Sequence, residues 1–160
     1  MPNTDLKEAI ATAEGLYYRL VLLVGKSGSG KTQILKNLAG ELNTTIININ
    51  LILSEKLLEL SKKQRTLQIP SILSQITAKS TNPVILDNLE ILFDKDIKQD
   101  PLRLLQGISR NQTVIATWNG EFDGNRLYYA ELSHPEYRCY DNVDAQIVTI
   151  NNTSAKKAQI

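Results

Sequence analysis

Residues 20–32 read Leu-Val-Leu-Leu-Val-Gly-Lys-Ser-Gly-Ser-Gly-Lys-Thr. An unbroken apolar run of strand length passes straight into Gly-x-x-x-x-Gly-Lys-Thr, the pattern of a P-loop that holds the phosphates of a nucleoside triphosphate. Each position has a physical task. Gly25, Gly28 and Gly30 let the backbone turn tightly and aim its N–H groups at anionic oxygens. Lys26, Ser27 and Ser29 complete the loop between them. Lys31 supplies a point charge for the outer phosphates, and the Thr32 hydroxyl is placed to ligate Mg²⁺. A helix expected from about Thr32 to Leu42 points its positive N-terminal end at the same anion.

Strands and helices alternate on either side of this motif. Asn3–Glu14 has helix character, with Asn3 or Thr4 as cap, Asp5 and Glu8 suited to its first turn, and Gly15 to end it. Strand one covers about Tyr17–Val24, and its continuous apolar pattern is that of a strand covered on both faces. A second strand is expected over Thr45–Asn50. A helix capped by Ser54 then runs to about Gln64 and places Lys62, Lys63 and Arg65 at its C-terminal end, where the helix dipole favours cations. Another helix spans Pro70–Lys79, with Pro70 at its start. After Asn82-Pro83 come a strand at Val84–Asp87, a helix at Pro101–Arg110 and a strand at Thr113–Thr117. Asn119-Gly120 is a common turn pair. Further strands are expected over Leu127–Leu132 and Ala145–Ile150. This order predicts a three-layer αβα P-loop NTPase sandwich around a mostly parallel, five-stranded sheet. Residues 1–150 form one domain, and the polar tail 151–160 is expected to be flexible.

Ligands in such sheets bind at the carboxyl ends of the strands. Gly25–Thr32, Asp87 and Asn119 all fall there. Val84-Ile85-Leu86-Asp87 is an apolar strand ending in a carboxylate, the form of a Walker B segment. Mg²⁺ takes hard oxygen ligands and keeps several waters, so Asp87 beside Thr32 suffices. Hydrolysis also needs a group that orients or deprotonates water. Asn88 stands where many P-loop ATPases carry Glu. Glu90 is the nearest acid and shares a face with Asp87 if a helical turn begins there; otherwise it favours a helix N-terminus. Asn119 or Thr117 is placed to hydrogen-bond the γ-phosphate or the attacking water. Arg110, Arg126 and Arg138 are candidates for an arginine supplied to a neighbouring subunit's phosphate, with Arg138 at a suitable distance beyond Asn119.

Composition narrows the classes. The chain has 160 residues and a formal net charge of +1, so no broad electrostatic case exists for a nucleic-acid or membrane surface, though a local patch is compatible with it. One cysteine, Cys139, rules out an internal disulfide and reads as structural. His134 is the single histidine, without partners at zinc-ligand spacing. No apolar run approaches the ~18 residues of a membrane span, and the N-terminus lacks a signal-peptide core. A cytoplasmic protein with no membrane partner is expected. Tyr128 and Tyr129 beside Arg126 read as packing residues rather than a stacking platform.

The chain resembles AAA+-like P-loop ATPases through Gly25–Thr32, Val84–Asp87 and Thr113–Asn119. More closely, it is similar to the BrxF family of small P-loop proteins in type 3 BREX phage-defence systems. The resembling stretches are Leu86–Phe93, Asp100–Arg110, Ala116–Gly120, and Tyr129-Ala130 with His134–Arg138. The resemblance implies ATP and Mg²⁺ as ligands, a bacterial or archaeal cytoplasm, other BREX proteins as partners, DNA contact through a complex, and homo-oligomers. It also implies a role in assembling or regulating a DNA-modifying defence complex. Against the family pattern, Asn88 argues for low turnover. The ten residues after Ile150 are too few for a helical lid, so an AAA+-like core without a lid is expected. Two rival readings stand beside a weak ATPase: a non-hydrolysing nucleotide-dependent assembly switch and a small P-loop kinase. A GTPase is disfavoured, because Asp87-Asn-Leu-Glu90 lacks the Gly of a D-x-x-G segment.

Overall fold

The computed structural model describes residues 2–80, 82–130 and 134–150. Along the chain lie α1 (Pro2–Ala13), β1 (Leu20–Gly25), α2 (Lys31–Leu42), β2 (Ile46–Asn48), α3 (Ile49–Leu57), α4 (Lys62–Ala78) and β3 (Val84–Asp87). Two 3₁₀ turns, Glu90–Phe93 and Lys95–Ile97, precede α5 (Pro101–Ile108), β4 (Val114–Phe122), β5 (Arg126–Tyr129), β6 (Arg138–Asp141) and β7 (Gln146–Thr149).

Five strands pair in parallel in the order β2-β3-β4-β1-β7. Their side chains alternate between two apolar layers. Leu20, Leu22, Val24, Leu86 and Ala116 pack on one face with α3, α4 and α5. Val21, Leu23, Ile85 and Ile115 pack on the other with α1 and α2. Both faces are covered, which is why β1 carries no polar residue. The expected three-layer sandwich with a five-stranded parallel sheet is therefore present. The far half of β4 extends it: β5 pairs antiparallel with β4, and β6 with β5.

The structure corrects several boundaries. The strand expected at Thr45–Asn50 is cut to Ile46–Asn48, because the Asn48 side chain accepts a hydrogen bond from the Leu51 N–H and starts a helix. Ser54 lies inside α3 and caps nothing. The cap is Ser61, whose side chain and that of Gln64 form a reciprocal capping box at the start of α4. Lys62 and Lys63 thus occupy the first turn of α4, where the helix dipole opposes them at about 0.3–1 kcal/mol each. Of that trio only Arg65 serves a helix C-terminus, donating from Nε to the carbonyls of Leu57 and Leu60 at the end of α3.

Pro70 does not begin a helix; it sits inside α4. Without an N–H it leaves the Thr66 carbonyl short of its intrahelical donor. The Gln99 amide supplies one at 2.7 Å. Asn119-Gly120 is not a turn either, since β4 runs through both residues. Gly120 is required there because a Cβ would collide with the Tyr128 carbonyl. The short strand β6 was not expected from the sequence. Leu132 and the tail 151–160 lie outside the described residues.

Candidate functional site

β1 delivers the chain to the P-loop, and α2 carries it away. Gly28 and Gly30 have φ of 80° and 96°, a left-handed backbone that lets the loop curl over the α2 N-terminus. Lys31 is 6% exposed. Its ammonium donates to the carbonyls of Gly25 (2.8 Å) and Lys26 (2.7 Å) and to Ser29 Oγ (3.3 Å). Burial lowers its pKa, while the Asp87 and Glu90 carboxylates oppose the shift. The Lys26 side chain itself points outward and pairs with Glu121 at 3.3 Å.

The sheet order puts the other groups beside this loop. β4 lies between β1 and β3, with Gly25 opposite Asn119 and Leu86 opposite Ala116, while Asn48 on β2 faces Asp87. Asp87 is 4% exposed at the end of β3. One of its oxygens accepts from Thr32 Oγ1 at 2.8 Å. The other accepts from Thr117 Oγ1 at 2.8 Å and from the Asn88 N–H at 2.9 Å. The Thr117 hydroxyl therefore positions Asp87. Asn119, not Thr117, reaches the cavity at the P-loop. Thr32 and Asp87 offer a hydroxyl and a carboxylate oxygen side by side, a hard donor pair that fits Mg²⁺.

A 3₁₀ turn begins at Glu90, so Glu90 stands at a helix N-terminus while Asp87 stays in β3 and the two share no helical face. The Glu90 carboxylate enters the same cavity, of about 380 Å³, that Lys31, Thr32, Asp87 and Asn119 line. One carboxylate oxygen accepts from Asn119 Nδ2 at 3.0 Å and the other from Asn50 Nδ2 at 3.2 Å. Burial raises the pKa of Glu90 above the usual carboxylate range; the Asn50 hydrogen bond pulls it down and the Asp87 charge adds to the rise. Asn50 was missed in the sequence. Its Oδ1 accepts from the Ile91 N–H at 2.8 Å and its own N–H donates to the Asn88 carbonyl at 2.9 Å, so it fixes the backbone on either side of Glu90. The available signal was a polar residue just past a β-branched strand, at the ligand-bearing edge.

A second cavity of about 700 Å³ adjoins the first across Ser27, Glu90 and Asn119 and extends to Tyr129, His134 and Pro135. Behind it, Phe93 stacks on Tyr129 and Trp118 meets both rings edge-on. Burial raises the Tyr129 pKa, with Glu90 and Glu136 adding to the shift. The packing role expected of Tyr129 holds.

The three arginines lie apart from the phosphate cavity, and each has a partner in its own chain. Arg110 sits 4.5 Å over the Tyr17 ring and Arg126 pairs with Asp141 at 2.8 Å. Arg138 donates to the Gln99 carbonyl at 3.1 Å and lies over Phe93.

A strand-loop-helix anion cradle, a buried Asp beside the helix hydroxyl, and a Glu–Asn pair at the next strand ends define a P-loop nucleotide-binding domain. A model of the ATPase family associated with various cellular activities (AAA) matches residues 21–121. The chain belongs to that family. A solved structure of C. elegans PCH-2 aligns at 18% identity with a TM-score of 0.45, covering 96% of this chain and 40% of that one. The chain thus spans less than half of the PCH-2 length, and nothing about its function is taken from that likeness. No curated protein matches the chain. Among the described residues, no helix is long and apolar enough to cross a membrane.

Proposed function

We propose that the chain is an ATP·Mg²⁺-binding AAA+ subunit with low intrinsic turnover, in which Glu90 activates water and Asn119 orients it. The carrying observation is the convergence of Lys31, Thr32, Asp87, Glu90 and Asn119 on one cavity. The P-loop amides and Lys31 bind the phosphates; Thr32 and Asp87 hold the metal, which supplies charge neutralisation at the transferring phosphoryl group. Two features support slow turnover. Asn88, not an acid, follows Asp87. Both Glu90 oxygens are held by the amides of Asn50 and Asn119, so Glu90 must exchange a partner before it takes a proton from water. The same clamp favours the second reading, a nucleotide-dependent switch with negligible hydrolysis.

The finer role, assembly or regulation of an antiphage complex with other BREX proteins and DNA in the cytoplasm, is supported by the BrxF-like segments of the sequence. Self-association would bring an arginine to a neighbour's γ-phosphate. Arg138 would first have to leave the Gln99 carbonyl, whereas the exposed contacts of Arg110 and Arg126 are weak. Equilibrium binding of ATP with Mg²⁺ tests the core reading: wild type binds, and Lys31→Ala binds at least tenfold more weakly. Phage challenge of cells carrying the intact gene cluster tests the finer one, with protection expected to fall in Lys31→Ala. Equal ATP affinity in the two proteins contradicts the nucleotide reading, and full protection by the variant contradicts the defence role of its site.

A further inference from the structure

Four lysines outside the nucleotide site converge on one concavity. Lys62 and Lys63 open α4, Lys95 opens the second 3₁₀ turn and Lys98 follows it. Together they line a cavity of about 500 Å³, with Leu67 and a single acid, Asp96, on its wall. It shares no lining residue with the phosphate cavity. All four lysines are exposed, and among the described residues none of their side chains is within ion-pairing distance of a carboxylate.

This grouping runs against the fold's own electrostatics. Two of the cations sit at the positive end of a helix that has no acid in its first turn. The other two face them. A chain of net charge +1 has no surplus of lysine that would force such crowding. Arg65 shows the contrast, since it stabilises the end of α3. Among the described residues no ion pair holds any of the four lysines, and rule-breaking of this kind marks functional surface. An anion relieves the repulsion.

The chemistry of the cluster narrows the anion. Among the described residues no arginine lines this cavity to offer the bidentate fork that matches carboxylates, and lysines act as point charges on phosphate. No aromatic side chain lines the cavity to stack a base. We propose that this face binds the sugar-phosphate backbone of nucleic acid through Lys62, Lys63, Lys95 and Lys98, without reading bases. The proposal stands apart from the nucleotide reading.

Fluorescence anisotropy with labelled DNA of arbitrary sequence, about twenty nucleotides long, tests it across about 50–200 mM salt. The expected log K against log salt has a slope near −3, from four phosphate contacts at about 0.7–0.9 each. Lys62→Gln/Lys95→Gln should weaken binding at least tenfold and flatten the slope by about 1.5. Lys79→Gln, at the opposite end of α4, should bind DNA as wild type does. Matching thermal melts confirm that the variants are folded. Absence of DNA binding, or a double variant that binds like wild type, overturns the proposal. So does tighter binding, at equal salt, to polyglutamate or to phosphatidylserine vesicles, which would assign the face to an acidic protein or a membrane.

Discussion

Glu90 lies three residues beyond Asp87 and yet lines the same cavity, because the chain turns at Asn88, whose φ is 57°, before the 3₁₀ turn begins. The pair was foreseeable from spacing. What holds Glu90 was not: Asn50 meets it only because the segment after β2 crosses the end of β3, and no local pattern encodes that meeting. The P-loop was fully legible, since its glycines specify their own backbone. The raised pKa of Glu90 has opposite consequences for stability and for rate. The fold favours the protonated form, so ionisation removes stability as pH rises through the raised pKa. Only the ionised form accepts a proton, so turnover falls on the acid side. The acid limb of a kcat–pH profile is predicted to lie above the ordinary glutamate value of about 4.5. A profile flat down to that pH would remove Glu90 as base.

At the scale of elements, α4 shows where sequence reasoning lost its way and why. Proline is a strong stop signal, so Pro70 reads as a helix start. The Ser61-x-x-Gln64 capping box was the competing signal, and it prevails because Gln99 supplies the hydrogen bond that Pro70 cannot. The strands were legible because β1, β3 and β4 carry apolar residues on both faces. β6 was not, being a short strand of mixed polarity that exists only by pairing with β5. Gln99→Ala is predicted to cost about 1–3 kcal/mol, from an underbonded carbonyl in a half-buried position. In a Pro70→Ala background the restored N–H takes over, and the cost should shrink by at least about 0.5 kcal/mol. Thermal or urea unfolding of the four proteins completes the cycle; additive effects would contradict this account of α4.

For the molecule as a whole, the strand order makes the site. With β4 between β1 and β3, one sheet edge gathers the P-loop, Asp87 and Asn119, while the α3 and 3₁₀ segments bring Asn50 and Glu90 over it. Binding groups and the water-activating group thus belong to different elements, and they should separate in experiment. The most direct test compares ATP affinity and steady-state ATP turnover in wild type and Glu90→Gln. The account predicts nearly unchanged affinity with turnover reduced about 10²–10⁴-fold. Unchanged turnover in Glu90→Gln would contradict it.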